Sequence, residues 1–303
     1  MVRVRLGVVA VLLSALAACS SSSGRGANGK PKGACPTAPV AIVVSVDQWG
    51  DVVGQLAGDC GDVTTIFKSS SADPHDYEPT PADSAKFTGA KLVVVNGLDY
   101  DPWADKAVAT LGQKAAVVNG GKVVGLENGD NPHLWYGPDY VYKIADAVTA
   151  ELEHLRPEDA SYFDRRHDAW RASMQPYDAE IAKIKAAAAG KTYGATEGIF
   201  DYMANALGLA NETPAGYQRA TVNESDPAPG DVNDFEHALA NGKIAVLIYN
   251  TQTQGAIPQL VRSKAESAKV PVVNVTESVP PAFSTFEAWQ VSQLEDLAKA
   301  LGA

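Results

Sequence analysis

Apolar positions along this chain follow two rhythms. Short unbroken runs rich in valine and isoleucine alternate with longer segments whose apolar residues recur every three or four positions. The runs at 39–46 (PVAIVVSV), 62–69 (DVTTIFKS), 91–97 (KLVVVNG) and 115–120 (AAVVNG) predict strands. Segments 48–58, 80–90, 101–112 and 137–157 carry helical periodicity, the last opened by Pro138 and closed before Pro157. The same alternation returns later, with strands at 191–196, 243–250 and 270–276 and helices at 198–210, 231–242, 255–269 and 284–303. Between the two halves, residues 157–190 hold strong helix formers without a β-rich break, with Pro157 at the start and Gly190 at the end. At ~1.5 Å per residue such a helix reaches roughly 45 Å, longer than one domain, and Pro176 in its interior predicts a kink. The expected fold is α/β: two lobes, 37–156 and 191–303, each a mainly parallel sheet with flanking helices, joined by one long, kinked helix at 157–190.

The first 36 residues break this pattern. Arg3 and Arg5 precede an apolar run from Leu6 to Leu16, followed by small residues. This is the layout of an export signal, and the run is too short for a stable membrane span. The stretch LAAC at 16–19 matches a bacterial lipobox, so residues 1–18 are expected to be removed and Cys19 to be lipidated. A Ser/Gly-rich tether follows over 19–36. The protein is then expected outside the cytoplasmic membrane, held to its outer face by lipid, as a monomer. Cys35 and Cys60 are the remaining cysteines, and in an exported chain an even pair predicts a disulfide. A net charge of -11 argues against nucleic acid as a partner and suits a cation, although most acidic proteins are merely soluble.

Candidate chemistry concentrates at strand ends, where open parallel sheets bind ligands. The chain has five histidines, and two of them directly follow a proline: His75 in SADPHDYEPTP and His133 in GDNPHLWYGP. Both lie on loops after predicted strands, while Glu197 and Glu277 follow the strands at 191–196 and 270–276 immediately. Two imidazoles and two carboxylates make a four-ligand set for a divalent metal. The prolines stiffen the histidine loops, and Asp73, Asp76 and Asn131 are placed to orient the imidazoles. Each residue also has a plainer reading. A loop histidine is usually surface decoration, and an acid after a strand usually faces a helix dipole. Asp and Asn beside proline are ordinarily turn residues. His154, His167 and His237 sit in helical patterns, and Trp49, Trp135 and Tyr77 read as packing residues. Catalysis has little support: the chain has no Gly-x-Ser-x-Gly elbow, Walker loop or His-Glu-x-x-His pair.

The stretch ADPHDYEPTPADSAKFTGAKLVVVNGLDYDPWADKAV (72–108) resembles the metal-specific solute-binding lipoproteins of ABC importers, the family serving zinc and manganese uptake. NPHLWYGPDYVYKIADAV (131–148) resembles that family's second motif, usually Asp-Pro-His-Val-Trp followed by a helix. The resemblance implies two α/β lobes with a metal between them, held by His75, His133, Glu197 and Glu277. It also implies a membrane permease and its ATPase as partners, a zinc or manganese ion as transported ligand, no organic cofactor and no enzymatic role. Three departures stand out. The histidine-rich loop common in zinc members is missing between 121 and 132, Pro176 interrupts the joining helix, and Glu277 replaces the usual aspartate. Two carboxylates lean toward a harder ion, whereas the intrinsic affinity order favours zinc over manganese. A receptor for an organic or chelated solute, a surface adhesin and a metalloenzyme are the competing readings.

Overall fold

The structure is a computed structural model that describes residues 35–68, 77–111, 115–223, 225–253 and 255–303. The expected signal segment, Cys19 and most of the tether lie outside the described residues, as do Asp73, His75 and Asp76. The first lobe runs β1 (Val40–Val46), α1 (Asp47–Ala57), β2 (Gly61–Phe67), α2 (Pro81–Lys86), β3 (Leu92–Val95), α3 (Pro102–Leu111), β4 (Ala116–Asn119), α4 (Gly120–Val124) and α5 (Pro138–Leu155). Two joining segments follow, α6 (Ala160–Ser173) and α7 (Gln175–Ala187). The second lobe holds β5 (Thr192–Ala195), α8 (Asp201–Leu207), β6 (Ala210–Asn211), α9 (Ala215–Val222), α10 (Pro229–Ala240), β7 (Val246–Asn250), α11 (Ala256–Ser267), β8 (Val272–Val275) and α12 (Phe286–Leu301).

Both sheets are parallel and share one topology, β2-β1-β3-β4 and β6-β5-β7-β8. In each, the chain steps outward from a central strand and then crosses to its other side. That reversal opens a crevice beyond the strand ends, between β1 and β3 and between β5 and β7. The central strands β3 and β7 are buried on both faces along their whole length, which explains why β3 is apolar throughout and β7 apolar up to its last residue, Asn250.

The joining helix is one path in two pieces. Pro176 has no N–H for the carbonyl of Ala172, and the chain bends at Met174 (φ -77°, ψ -6°). Helical bonds continue on both sides, from Met174 N–H to Trp170 O at 3.1 Å and from Asp178 N–H to Met174 O at 3.0 Å. Phe163, Trp170, Met174, Tyr177 and Ile184 are all buried, so the apolar stripe keeps its phase through the bend. The sequence pattern missed α4, β6 and α9. It also ran one helix on to 210, where Gly208 in the left-handed region (φ 78°) ends α8 at Leu207.

One continuous apolar core runs from β1 and β3 through the joining helices to β7, β8 and α12. Polar bonds cross between the lobes as well. The Tyr136 hydroxyl donates at 2.8 Å toward both Thr276 O and Gln293 Oε1. The Asp51 carboxylate accepts from Phe286 N–H at 2.7 Å, and Asp47 accepts from Val279 N–H at 3.4 Å. The Cys35–Cys60 disulfide ties the lead into β1 to the turn before β2, and closing its 25-residue separation is worth ~3 kcal/mol.

Burial raises the Asp47 carboxyl to about 7, against the opposing pull of the Val279 N–H and Lys68. The folded chain therefore binds a proton that the unfolded chain has lost between pH 3.8 and about 7, so this residue's contribution to stability falls as pH climbs through that window. Asp47→Asn keeps an oxygen for Val279 and removes the charge. We expect the variant to gain about 1–4 kcal/mol over wild type above pH 7 and to match it near pH 4, measured by denaturant melts across pH.

Candidate metal centre

Three of the four expected ligands fall within the described residues, and they meet beyond the strand ends. His133 Nε2, Glu197 and Glu277 offer ligand atoms that all lie within 4.8 Å of one another. His133 Nε2 is 3.7 Å from Glu277 Oε2 and 3.9 Å from Glu197 Oε1. Tetrahedral ligand atoms about 2.1 Å from a zinc ion stand about 3.4 Å apart, so the two histidine–carboxylate gaps exceed that spacing by only a few tenths of an ångström. Glu277 is 1% exposed and His133 5%, far from the solvated residues that a loop acid and a loop histidine ordinarily are.

Each side chain is set by its own framework. After β4, Asn119 caps α4 by accepting from Lys122 N–H at 3.1 Å, and the chain then reaches the Asn131–Pro132–His133 loop. Asn131 Oδ1 lies 2.7 Å from His133 Nδ1 and accepts from the His133 backbone N–H at 3.0 Å. With Nδ1 so engaged, Nε2 is the atom turned to the carboxylates. Asn131 is itself held by the second lobe: it donates to Gly198 O at 2.6 Å, and its carbonyl accepts from the Tyr202 hydroxyl at 2.7 Å. Asn96 fixes Pro132 by donating to its carbonyl at 2.9 Å.

Glu197 begins a short 3-10 turn but caps nothing with its side chain. Its Oε2 instead accepts from Asn250 Nδ2 at 2.9 Å and from the Thr253 hydroxyl at 2.5 Å. Glu277 accepts from the same Asn250 amide at Oε1 (2.8 Å) and from the Tyr100 hydroxyl at Oε2 (3.0 Å). The Gln252 side chain clamps the turn by accepting from the N–H groups of Glu277 and Ser278 at 2.7 and 2.9 Å. Asn250, Thr253, Tyr100 and Gln252 were invisible to the strand-end rule as applied, although Asn250 is the last residue of β7 and satisfies it.

Tyr100 arrives on a strained turn. Gly97, Leu98 and Asp99 all have positive φ (76°, 57° and 60°), and a Cβ at Gly97 would come within 2.4 Å of Asn119 Oδ1. The buried Asp101 carboxylate holds the turn by accepting from Asn96 N–H (2.7 Å) and Gly97 N–H (2.8 Å), while burial lifts its pKa to about 6. Burial first, and Glu277 second, push the Tyr100 hydroxyl well above its ordinary range, so it remains a proton donor. For His133, burial lowers the pKa, but Glu277 and Glu197 outweigh it and the net direction is upward. A second cluster, Cys35, Cys60 and Asp159, holds no thiolate, because both sulfurs are in the disulfide. Trp49 and Trp135 are wholly buried packing residues, as expected, with Trp135 against the His133 ring at 5.3 Å.

Residues 42–300 match the family described as zinc-uptake complex component A, periplasmic. The high-affinity zinc uptake system protein ZnuA of Bacillus subtilis (strain 168) is 25% identical, over 90% of this chain and 88% of its own. The manganese ABC transporter substrate-binding lipoprotein PsaA of Streptococcus anginosus is also 25% identical, over 80% and 81%. Among solved structures, the periplasmic zinc-binding protein TroA of Treponema pallidum superposes with a TM-score of 0.71 at 17% identity, covering 87% of this chain and 99% of its own. That likeness is one of fold.

If Asn131 fixes the working nitrogen of His133, Asn131→Ala will weaken zinc binding 10- to 100-fold. Competition against a chelating fluorophore reads this directly, and unchanged affinity would remove Asn131 from the site.

Proposed function

The chain belongs to the zinc-uptake component A family of periplasmic binding proteins, and on that footing we propose how it holds its cargo: His75, His133, Glu197 and Glu277 take a divalent transition metal between the two lobes. It is the extracytoplasmic substrate-binding component of an ABC importer, not an enzyme, and it delivers the metal to a permease driven by an ATPase. Zinc is favoured over manganese by the intrinsic affinity order. The observation that carries the ligand assignment is the convergence of buried His133 and Glu277 with half-buried Glu197 from three separate loops. Two carboxylates against a doubly charged cation give a neutral centre, which tolerates burial.

Residues 1–18 act as the export signal, and lipid on Cys19 holds the mature protein, a monomer, to the outer face of the cytoplasmic membrane through the 19–36 tether. Among the described residues no helix is long and apolar enough to cross a membrane, which is consistent with an anchor elsewhere. Residues 37–156 and 191–303 serve as the two lobes, with 157–190 between them. The continuous core and the bonds across it favour modest adjustment on loading over wide closure.

Metal analysis and competitive zinc titration of the exported chain test the ligand set. His75→Ala and Glu277→Ala are each expected to lower zinc affinity by at least 100-fold. Zinc affinity that survives both substitutions would overturn the ligand set, whereas a metal-free chain that takes up no zinc would favour a receptor for an organic or chelated solute instead. Affinity in wild type should also fall from above pH 6.5 downward, because the raised His133 must lose its proton to bind.

A further inference from the structure

One amide sits between the two carboxylates. Asn250 is wholly buried at the end of β7, and its Nδ2 donates to Glu197 Oε2 at 2.9 Å and to Glu277 Oε1 at 2.8 Å. Its Oδ1 is used too, accepting from Gln252 N–H at 3.0 Å, so the amide cannot flip without losing three bonds. Glu197 Oε2 also accepts from Thr253, which occupies both of its lone pairs. The oxygens nearest His133 Nε2 are the other two, Glu197 Oε1 and Glu277 Oε2.

We propose that Asn250 is a specificity-determining residue: by engaging one oxygen of each glutamate it makes both carboxylates monodentate and so selects zinc over manganese. This inference rests on the ligand set proposed above. A carboxylate that chelates through both oxygens must turn its whole O–C–O edge to the ion, and that rotation breaks the bond to Asn250. Two single oxygens with two imidazoles complete a four-coordinate shell, the number zinc prefers with nitrogen and oxygen ligands. Manganese is a harder ion that prefers more oxygens and higher coordination, and the shell denies it the extra two. Asn250 does not touch the metal. It acts through the glutamates, as does the Tyr100 hydroxyl on Glu277 Oε2.

The test compares Zn²⁺ and Mn²⁺ binding by the exported chain, purified in detergent, in wild type, Asn250→Ala and Asn250→Asp. Asn250→Asp keeps the shape and the acceptor for Gln252 but removes both donors. In either variant the preference for zinc over manganese is expected to fall at least tenfold, with manganese gaining relative to zinc. Loss of affinity for both ions in equal proportion would mark Asn250 as merely structural and overturn the proposal. Thr253→Val, which removes only the second bond to Glu197 Oε2, should shift the preference the same way by about threefold, and no shift there counts against the proposal. X-ray absorption on zinc-loaded wild type needs no variant: four nitrogen or oxygen neighbours are expected, and five or six would overturn it. Glu277→Ala separates the two levels. If it leaves zinc binding intact, the ligand set fails; if it abolishes binding while Asn250→Ala leaves the preference unchanged, only this inference fails.

Discussion

Two carboxylates held close together, Glu277 buried and Glu197 half-buried, are the constraint around which the rest of the structure is arranged. An uncompensated buried charge costs several kcal/mol, and a second of the same sign beside it costs more. Glu277 and Glu197 are tolerated because donors reach them from both lobes: Tyr100 from the loop after β3, Asn250 from the end of β7 and Thr253 just beyond it. Those donors compensate the acids partially, and in the proposed site a cation would complete the compensation. The same frame thus holds the acids in place, and under the proposed ligand set it would also receive the ion.

Keeping such a frame to within a few tenths of an ångström requires that its supports not drift. The apolar core continues from one sheet to the other, and α1 holds the chain after β8 through Asp47 and Asp51. The bend at Met174 does not loosen the joining helices, because the buried stripe continues through it. Backbone strain at the site sits in the Gly97–Asp99 turn, next to the residue it must aim, and Asp101 holds it there. On the proposed ligand set, a frame this fixed would discriminate between ions by geometry.

Much of this was legible in the sequence, for identifiable reasons. Buried parallel strands such as LVVV at 92–95 are apolar throughout, so the runs announced them, and the strand-end rule reached His133, Glu197 and Glu277. Elements without a periodic signal were lost: β6 is two residues long, and α9 lies in a polar stretch between Pro214 and Asn223. Asn250 and Tyr100 escaped because asparagine at a strand end reads as a turn residue and a tyrosine in a loop reads as packing. Only the tertiary placement reveals that one amide faces two carboxylates. His75, whose proline-flanked loop was the strongest sequence signal, lies outside the described residues.

The central claim is that the ion sits where His133, Glu197 and Glu277 converge. Crystals of the zinc-loaded protein, with diffraction recorded on both sides of the zinc absorption edge, locate the ion without assuming a ligand. The account predicts one strong anomalous peak about 2.0–2.2 Å from His133 Nε2 and from one oxygen of each glutamate. A peak elsewhere, or none in protein shown to carry zinc in solution, would contradict it.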